Sequence, residues 1–151
     1  MTQHAEMSPR ELLESYGMML NKSFCLARET AIYLRRAQEN KANASYWRDK
    51  AALLSAESGR LNSLIDQRRQ QLDQMIQTLG NERERQVLEL RYFSLMAYRD
   101  ISKTMRFSIR QIYRLRRRGI EKLESSREAV EKQLKSNGEA MGRNDAAASG
   151  G

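Results

Sequence analysis

The chain is poor in the residue types on which many active sites and metal centres depend. It has one cysteine, Cys25, and one histidine, His4, among 151 residues. A single cysteine cannot form an internal disulfide, and Cys25 has no nearby partner for nucleophile or metal chemistry. A glycine-rich phosphate loop is also missing, and acidic residues on the helices, such as Glu82 and Glu84, are predicted to be ordinary surface charges. We therefore predict that the protein is not an enzyme and uses no cofactor and no metal.

Long apolar runs are missing as well. No stretch approaches the roughly 18–20 apolar residues that a transmembrane helix needs. The N-terminal sequence MTQHAEMSPRELLES lacks a basic segment followed by an apolar core, so it does not resemble a secretion signal. Charged residues make up 30% of the chain, aromatic residues 7%, and proline occurs once. We expect an all-α protein that lies in the cytoplasm and has no contact with a membrane.

Basic residues are concentrated in one stretch, residues 98–123, with the sequence YRDISKTMRFSIRQIYRLRRRGIEKL. Nine basic residues occur there against two acidic ones, a net charge of +7 in a chain whose total is +8. The rest of the chain is close to balanced. A localised field of this sign indicates a polyanion as the partner.

The same stretch predicts two short helices joined by a turn. In the first helix, apolar residues share one face at helical spacing. Ser108 is predicted to cap the second helix, with Gln111 completing a capping box. The apolar face of the second helix is then formed by Ile112, Leu115, Ile120 and Leu123. Such a helix has an apolar back for docking and a basic front that fits a DNA major groove.

Residues 82–123 resemble the helix-turn-helix of the last region of bacterial sigma factors. The matching pieces are Glu-Arg-Glu-Arg before Val87-Leu88, then Leu90-Arg91-Tyr92, Asp100-Ile101-Ser102, and the register from Ser108 to Leu123. Because a helical region precedes this module and the other sigma regions are missing, the chain resembles the small phage transcriptional regulators of the RinA/ArpU type. That resemblance implies a regulator that binds double-stranded DNA at late-gene promoters.

Two positions depart from the sigma pattern. Sigma factors usually have glycine in the turn, where this chain has Arg106. The backbone there must adopt a positive φ at some cost, or take another geometry. The residues at the base-reading positions also differ, so we expect a target other than the promoter element that host sigma reads.

The predicted DNA contacts form two sets. The residues assigned to base reading are Ile109, Arg110, Gln111, Tyr113 and Arg114. The residues assigned to phosphate contact are Arg83, Arg91, Tyr98, Arg99, Lys103, Arg117 and Arg118. Arg83 and Arg91 are included because they match sigma positions that touch the DNA backbone, although pairing with glutamate along the helix would explain them as well.

Residues 8–79 are predicted to form a helical hairpin or a coiled coil. Ser8-Pro9-Arg10-Glu11 is typical of a helix start, and residues 40–45 (NKANAS) are predicted to interrupt the helix. A second helical run then carries a heptad-like seam, with the charged Arg68 at one seam position. The apolar seam residues are Leu54, Leu61, Ile65, Leu72, Met75, Ile76 and Leu79. A seam of this length must be buried against residues 10–37 or against a second copy of the chain.

Gly80 is predicted to end this region as a helix C-cap, and Asn81 to cap the next helix. Residues 81–134 then form a DNA-binding domain with a helical extension. Residues 137–151, rich in glycine, alanine and polar residues, are predicted to be disordered. The N-terminal helices are expected to supply a homodimer contact or a contact to host RNA polymerase.

Two other functions are compatible with the sequence. The small subunit of a phage terminase also combines a helix-turn-helix with helical oligomerisation, and it would bind packaging DNA as a ring of many copies. A helical adaptor protein would instead use the basic face for an acidic protein partner. The adaptor hypothesis predicts no affinity for DNA at moderate salt.

Overall fold

The computed structural model describes residues 7–148, with side chains described for residues 7–139. This part of the chain is helical and contains no strand, so the all-α prediction is confirmed. The helices are α1 (Pro9–Glu39), α2 (Ala44–Gln77), α3 (Glu82–Leu88), α4 (Tyr98–Met105) and α5 (Ile109–Ala148). A 3-10 turn, Lys41–Asn43, links α1 to α2, and a π-helical turn, Glu89–Phe93, extends α3. None of the described helices is both long enough and apolar enough to cross a membrane.

The ends of α1 follow the local signals in the sequence. The Ser8 hydroxyl accepts a hydrogen bond from the backbone N–H of Glu11, and the Glu11 carboxylate accepts one from the backbone N–H of Ser8. This capping box satisfies N–H groups that a helix N-terminus otherwise leaves without a partner. α1 ends at Glu39 and α2 begins at Ala44, so the predicted interruption within residues 40–45 is confirmed.

α1 and α2 pack side by side and run antiparallel. Near the start of α1, the Arg68 guanidinium donates to the Ser15 hydroxyl at 2.9 Å. Farther along, the Ser23 hydroxyl donates to the Asn62 side-chain oxygen at 2.9 Å. This register explains how the charged Arg68 is accommodated in an otherwise apolar seam, because Ser15 gives it a polar partner.

The main core lies at the base of the α1–α2 pair, where α3 and α5 meet it. Its buried residues are Leu12, Leu13, Tyr16, Ile65, Leu72, Ile76, Leu79, Leu88, Ile120 and Leu123. Beyond this base the pair buries little, namely Leu26, Ala37, Ala44 and Ala51. A fully buried large apolar side chain contributes about 1.5–3 kcal/mol to stability. Most of the packing energy of the α1–α2 pair is therefore concentrated at its base.

A second, smaller core holds α3, α4 and α5 together. Val87, Ile101 and Ile112 are each 0% exposed, one from each helix. Half-buried apolar residues surround them, namely Leu90, Met96, Tyr98, Met105, Phe107 and Leu115. This core fixes the angle at which α5 leaves the turn after α4.

Two sequence predictions are wrong in the described residues. α5 continues to Ala148, so residues 137–148 are helical where disorder was predicted. These residues extend an existing helix and include good helix formers, so no new helix nucleus is required; residues 149–151 lie outside the described part. Gly80 is not the C-cap of α2, because the helix ends at Gln77 and Thr78 is its C-cap residue. The Thr78 hydroxyl donates to the Met75 carbonyl, and no described glycine has a positive φ.

Candidate nucleic-acid interface

The turn between α4 and α5 is built around a residue in the left-handed region. Arg106 has φ 59° and ψ 38°. Of the two alternatives given by the sequence, a positive φ at Arg106 or another turn geometry, the chain adopts the positive φ. Ser102 holds this turn: its carbonyl accepts the backbone N–H of Phe107 at 3.2 Å, and its hydroxyl donates to the Phe107 carbonyl. A non-glycine residue in this conformation costs about 1–2 kcal/mol, which the two Ser102 contacts and the small core must offset.

The N-terminus of α5 is capped as predicted. The backbone N–H of Gln111 donates to the Ser108 hydroxyl at 3.2 Å, and the backbone N–H of Ser108 donates to the Gln111 side-chain oxygen at 2.9 Å. A bidentate contact with adenine requires both the oxygen and the amino group of a glutamine side chain. Because the oxygen is committed to the cap, Gln111 has only its amino group left for a base.

One face of α5 is exposed and basic over its first three turns. Ile112 and Ile120 turn towards the cores, with exposures of 0% and 2%. The residues on the outer side are all exposed, and they are Arg110, Arg114, Arg117 and Arg118. Glu121, also exposed, follows them and ends the basic face. The positive end of the helix dipole lies at the same N-terminal end and adds to the attraction for an anion.

Arg116 does not belong to this face, although it directly precedes Arg117 and Arg118. Its guanidinium is half-buried and donates to the Tyr98 hydroxyl at 2.7 Å. The Nε atom of Arg116 is buried without a hydrogen-bond partner. The run of three arginines is therefore divided, with two side chains exposed and one used inside the protein.

Tyr98 is surrounded by other predicted site residues. The Arg91 guanidinium lies 4.3 Å from the centre of the Tyr98 ring and donates to the Met96 carbonyl at 3.1 Å. The ring of Tyr113 lies 4.5 Å from the ring of Tyr98. Together the ring contacts link the π-helical turn, α4 and α5, so Arg91 and Tyr98 are engaged within the protein. Tyr113 is 43% exposed and keeps one side open to solvent.

Tyr92 lies on the inner side of this cluster and packs against the main core. Burial raises the pKa of Tyr92 above its usual value, and the Arg116 guanidinium nearby opposes that rise. The phenol therefore stays protonated to a higher pH than an exposed tyrosine does.

The remaining predicted phosphate contacts are exposed. Arg99 and Lys103 lie on the side of α4 opposite the buried Ile101. Arg83 is exposed on α3, with its guanidinium 5.1 Å from the centre of the Phe107 ring. Among the residues assigned to base reading, Ile109 is 43% exposed at the start of α5.

Two residues to which the sequence analysis assigned no role in the site attach α5 to α3. Glu84 is 1% exposed, so its assignment as a surface charge is wrong. The Lys122 ammonium donates to both Glu84 carboxylate oxygens, at 2.7 and 2.9 Å. The spacing of Glu84 to Val87 and Leu88, three and four residues, places it on the buried face of α3, and this was the available signal.

Gly119 allows this close approach of α5 to α3. A Cβ atom at Gly119 would lie 3.1 Å from the Leu88 Cδ1 atom and 3.6 Å from the Glu84 Cβ atom. An alanine there would require the Leu88 side chain to move by a few tenths of an ångström. Gly119 thus lets α5 pack closely on α3 beside the buried Glu84.

The comparisons with known proteins assign no activity to this arrangement. A family model described as "Protein of unknown function (DUF1492)" matches residues 59–124, which is less than half of the chain. The match runs from the middle of α2 to the part of α5 that carries the basic face. No curated protein and no solved structure matches the chain. In the part of the chain that the structure describes, no group of three or more His, Cys, Asp or Glu residues could hold a metal ion.

Proposed function

We propose that the protein is a sequence-specific DNA-binding regulator of transcription that acts by binding and not by catalysis. The observation that carries this proposal is the basic face of α5. Arg110, Arg114 and Arg117 follow each other at steps of four and three, all exposed, on a helix whose opposite side is buried. A helix of this kind is held by its apolar side while its charged side enters the major groove.

In the proposed complex, Arg110 and Arg114 read bases. Each guanidinium offers a bidentate fork to guanine O6 and N7, and each such pair contributes about 1–3 kcal/mol of discrimination. Tyr113 and the Gln111 amino group lie beside them. Ile109 offers an apolar contact at the end of the helix that enters the groove first.

Phosphate neutralisation is assigned to the exposed basic residues, namely Arg83, Arg99, Lys103, Arg117 and Arg118. These contacts set affinity and its salt dependence but not the sequence preference. Arg91 and Tyr98 are proposed to position α4 and α5, because both already have partners within the protein. The proposal that the targets are phage late-gene promoters rests on the resemblance to RinA/ArpU regulators, and a contact to host RNA polymerase stays a prediction.

The test begins with selection of bound duplexes from a random DNA pool by the full chain. Binding of the enriched duplex and of a random duplex is then titrated with salt for wild type, Arg114→Ala and Arg60→Ala. Arg60 is an exposed arginine on α2, far along the chain from the basic face. Arg60→Ala therefore changes the net charge by the same amount as Arg114→Ala but leaves the basic face intact.

We expect Arg114→Ala to lose about 10- to 100-fold of the preference for the enriched duplex. The slope of log K against log salt should fall by at most about one for the lost contact. Arg60→Ala should retain both the preference and the slope. Equal, salt-sensitive binding to every duplex would favour the terminase hypothesis, and no binding at about 0.1 M salt would favour the adaptor.

A further inference from the structure

The end of the α1–α2 pair that lies farthest from the base carries a second concentration of positive charge. We call it the tip and define it as residues 33–50, which include the end of α1, the 3-10 turn and the start of α2. The tip has five basic residues against two acidic ones, a net charge of +3. Since residues 98–123 carry +7 and the whole chain +8, the chain outside these two segments has a net charge of −2. The excess of positive charge therefore lies at two places, the basic stretch near the base and the tip.

The basic residues of the tip form no ion pair within the described part of the chain. They are Arg35, Arg36, Lys41, Arg48 and Lys50, and all but Lys50 are exposed. The ion pairs of the described side chains lie elsewhere, in the middle of the pair and on α5. The two acidic residues of the tip do not neutralise its cations by direct contact. These cations are therefore available to carboxylates from outside the chain.

Three aromatic rings hold two of these cations in place. The Arg36 guanidinium lies 4.9 Å from the centre of the Trp47 ring, and the Lys50 ammonium lies 4.9 Å from the centre of the Tyr46 ring. Tyr33 stacks on Trp47 with ring centres 5.6 Å apart, and Lys50 lies 5.7 Å from the Tyr33 ring. A cation that is held over an aromatic face loses less side-chain freedom when it pairs with an anion. The rings thus preorganise Arg36 and Lys50 for such a pair.

Small residues, and not the aromatic ones, form the buried contact between α1 and α2 at the tip. Ala37, Ala44 and Ala51 are buried there, with exposures of 5%, 9% and 3%. The aromatic rings lie outside this contact, and Tyr46 is 53% exposed. Aromatic residues are enriched in protein interfaces, where they bury a large area on binding. Exposed rings at a position that alanines already close indicate a surface that contacts a partner.

The shape of the charged patch favours an acidic segment of a protein over a nucleic acid. Proteins that bind single-stranded nucleic acids use an extended track of cations and open ring faces on which bases stack. The positive charge of the tip does not continue along the pair, because residues 51–80 hold three basic and three acidic residues. One face of the Trp47 ring is already covered by Tyr33. Leu53, which is 72% exposed three residues after Lys50, adds an apolar contact beside the cations.

We propose that the tip is a docking site for an acidic segment of a partner protein that also carries apolar side chains. Carboxylates of the segment pair with Arg36 and Lys50, and the other three cations of the tip add to the attraction. An apolar side chain of the segment packs on Tyr46 and Leu53, which lie seven residues apart on one face of α2.

The tip is far from the proposed DNA interface, so the two sites are separate. Along α2, Trp47 precedes the buried Leu72 of the base by 25 residues, a rise of roughly 37 Å. One copy of the protein can therefore hold DNA at its base and a partner protein at its tip. This inference does not depend on the proposed function, because the ring and cation contacts of the tip involve only α1 and α2.

Trp47 is the only tryptophan of the chain, so its emission reports binding at the tip. The full chain is titrated with a short peptide of repeated Glu-Glu-Leu units, without DNA, and the emission of Trp47 is followed. A peptide of repeated Gln-Gln-Leu units is the control for charge, and a single-stranded oligothymidylate is the control for nucleic acid. Peptide that binds the basic face of α5 leaves the signal unchanged, because Trp47 is too far away.

Three sets of substitutions test which cations bind the peptide. Arg36→Gln/Lys50→Gln removes the two cations that the rings hold. Arg48→Gln removes an exposed cation of the tip without disturbing a ring contact. Arg60→Gln/Arg114→Gln is the matched control, because it removes two exposed cations outside the tip, one on α2 and one on α5. Circular dichroism establishes that each variant retains its helix content.

We expect the Glu-Glu-Leu peptide to cause a saturable change in Trp47 emission that the Gln-Gln-Leu peptide does not cause. Arg36→Gln/Lys50→Gln should raise the dissociation constant at least about fivefold and Arg48→Gln about twofold, because each surface ion pair contributes little by itself. The control variant should bind like wild type.

Three results would overturn the proposal. They are an unchanged emission with the acidic peptide, an equal response to the Gln-Gln-Leu peptide, and an Arg36→Gln/Lys50→Gln variant that binds like wild type. If that variant loses helix content, Arg48→Gln decides, and an unchanged dissociation constant would then count against the site. A stronger response to the oligothymidylate than to the acidic peptide would also overturn the proposal and assign the tip to nucleic acid.

Discussion

Replacement of Lys122 by methionine would test how α5, and with it the basic face, is held on α3. The Lys122 ammonium donates to both oxygens of the Glu84 carboxylate, whose side chain is 2% exposed. Methionine keeps most of the length of the aliphatic stem but removes the charge. The Glu84 carboxylate would then remain buried without its cationic partner.

The expected loss follows from the burial of the two side chains. Removal of one partner from a fully buried ion pair costs about 3–5 kcal/mol. The Lys122 side chain is 53% exposed, so water already screens part of the attraction. We therefore expect the free energy of unfolding to fall by about 2–3 kcal/mol. For a chain of this size that corresponds to a decrease in Tm of roughly 4–12 °C.

The assay is urea unfolding followed by circular dichroism, with Lys132→Met as the control. Lys132 lies on the same helix but is exposed, and its replacement should change the free energy of unfolding by less than about 0.5 kcal/mol. The double variant Glu84→Leu/Lys122→Met should recover at least half of the loss, because no buried charge remains. A Lys122→Met protein as stable as Lys132→Met would refute the assignment of this pair as the attachment of α5.

Two further predictions concern the turn and the buried tyrosine. Arg106→Gly should raise the free energy of unfolding by about 0.5–1 kcal/mol in urea, because glycine adopts φ 59° without the strain of a side chain; an equal or lower stability would contradict the left-handed turn. The raised pKa of Tyr92 means that the folded chain retains a proton that the unfolded chain loses near pH 10, so stability should fall above about pH 10. Tyr92→Phe should reduce this loss of stability at high pH. A variant with the same pH dependence as wild type would contradict a raised pKa of Tyr92.

Much of the local structure follows from short-range signals in the sequence. The capping boxes at Ser8 and Ser108 form as predicted because each joins groups three residues apart. The spacing of Ile112 and Ile120 likewise predicts the buried side of α5, since it depends only on helix geometry. The concentration of positive charge in residues 98–123 also required no structure.

The tertiary structure decided what each charged side chain does. Arg116 and Arg117 are adjacent in sequence, yet one is held by Tyr98 and the other faces solvent, because successive helical residues point in different directions and only one direction meets α4. The spacing of Glu84 to Val87 and Leu88 places it on the buried face of α3, but only the structure shows that its partner is Lys122 of α5.

The sequence by itself therefore determined that the protein is all-α, where most of its helices begin and where its positive charge lies, because these properties depend on residues close together in the chain. Only the tertiary structure decided which arginines remain exposed on α5 and how Lys122 attaches that helix to Glu84. These features depend on contacts between residues far apart in sequence, whose partners no local pattern specifies.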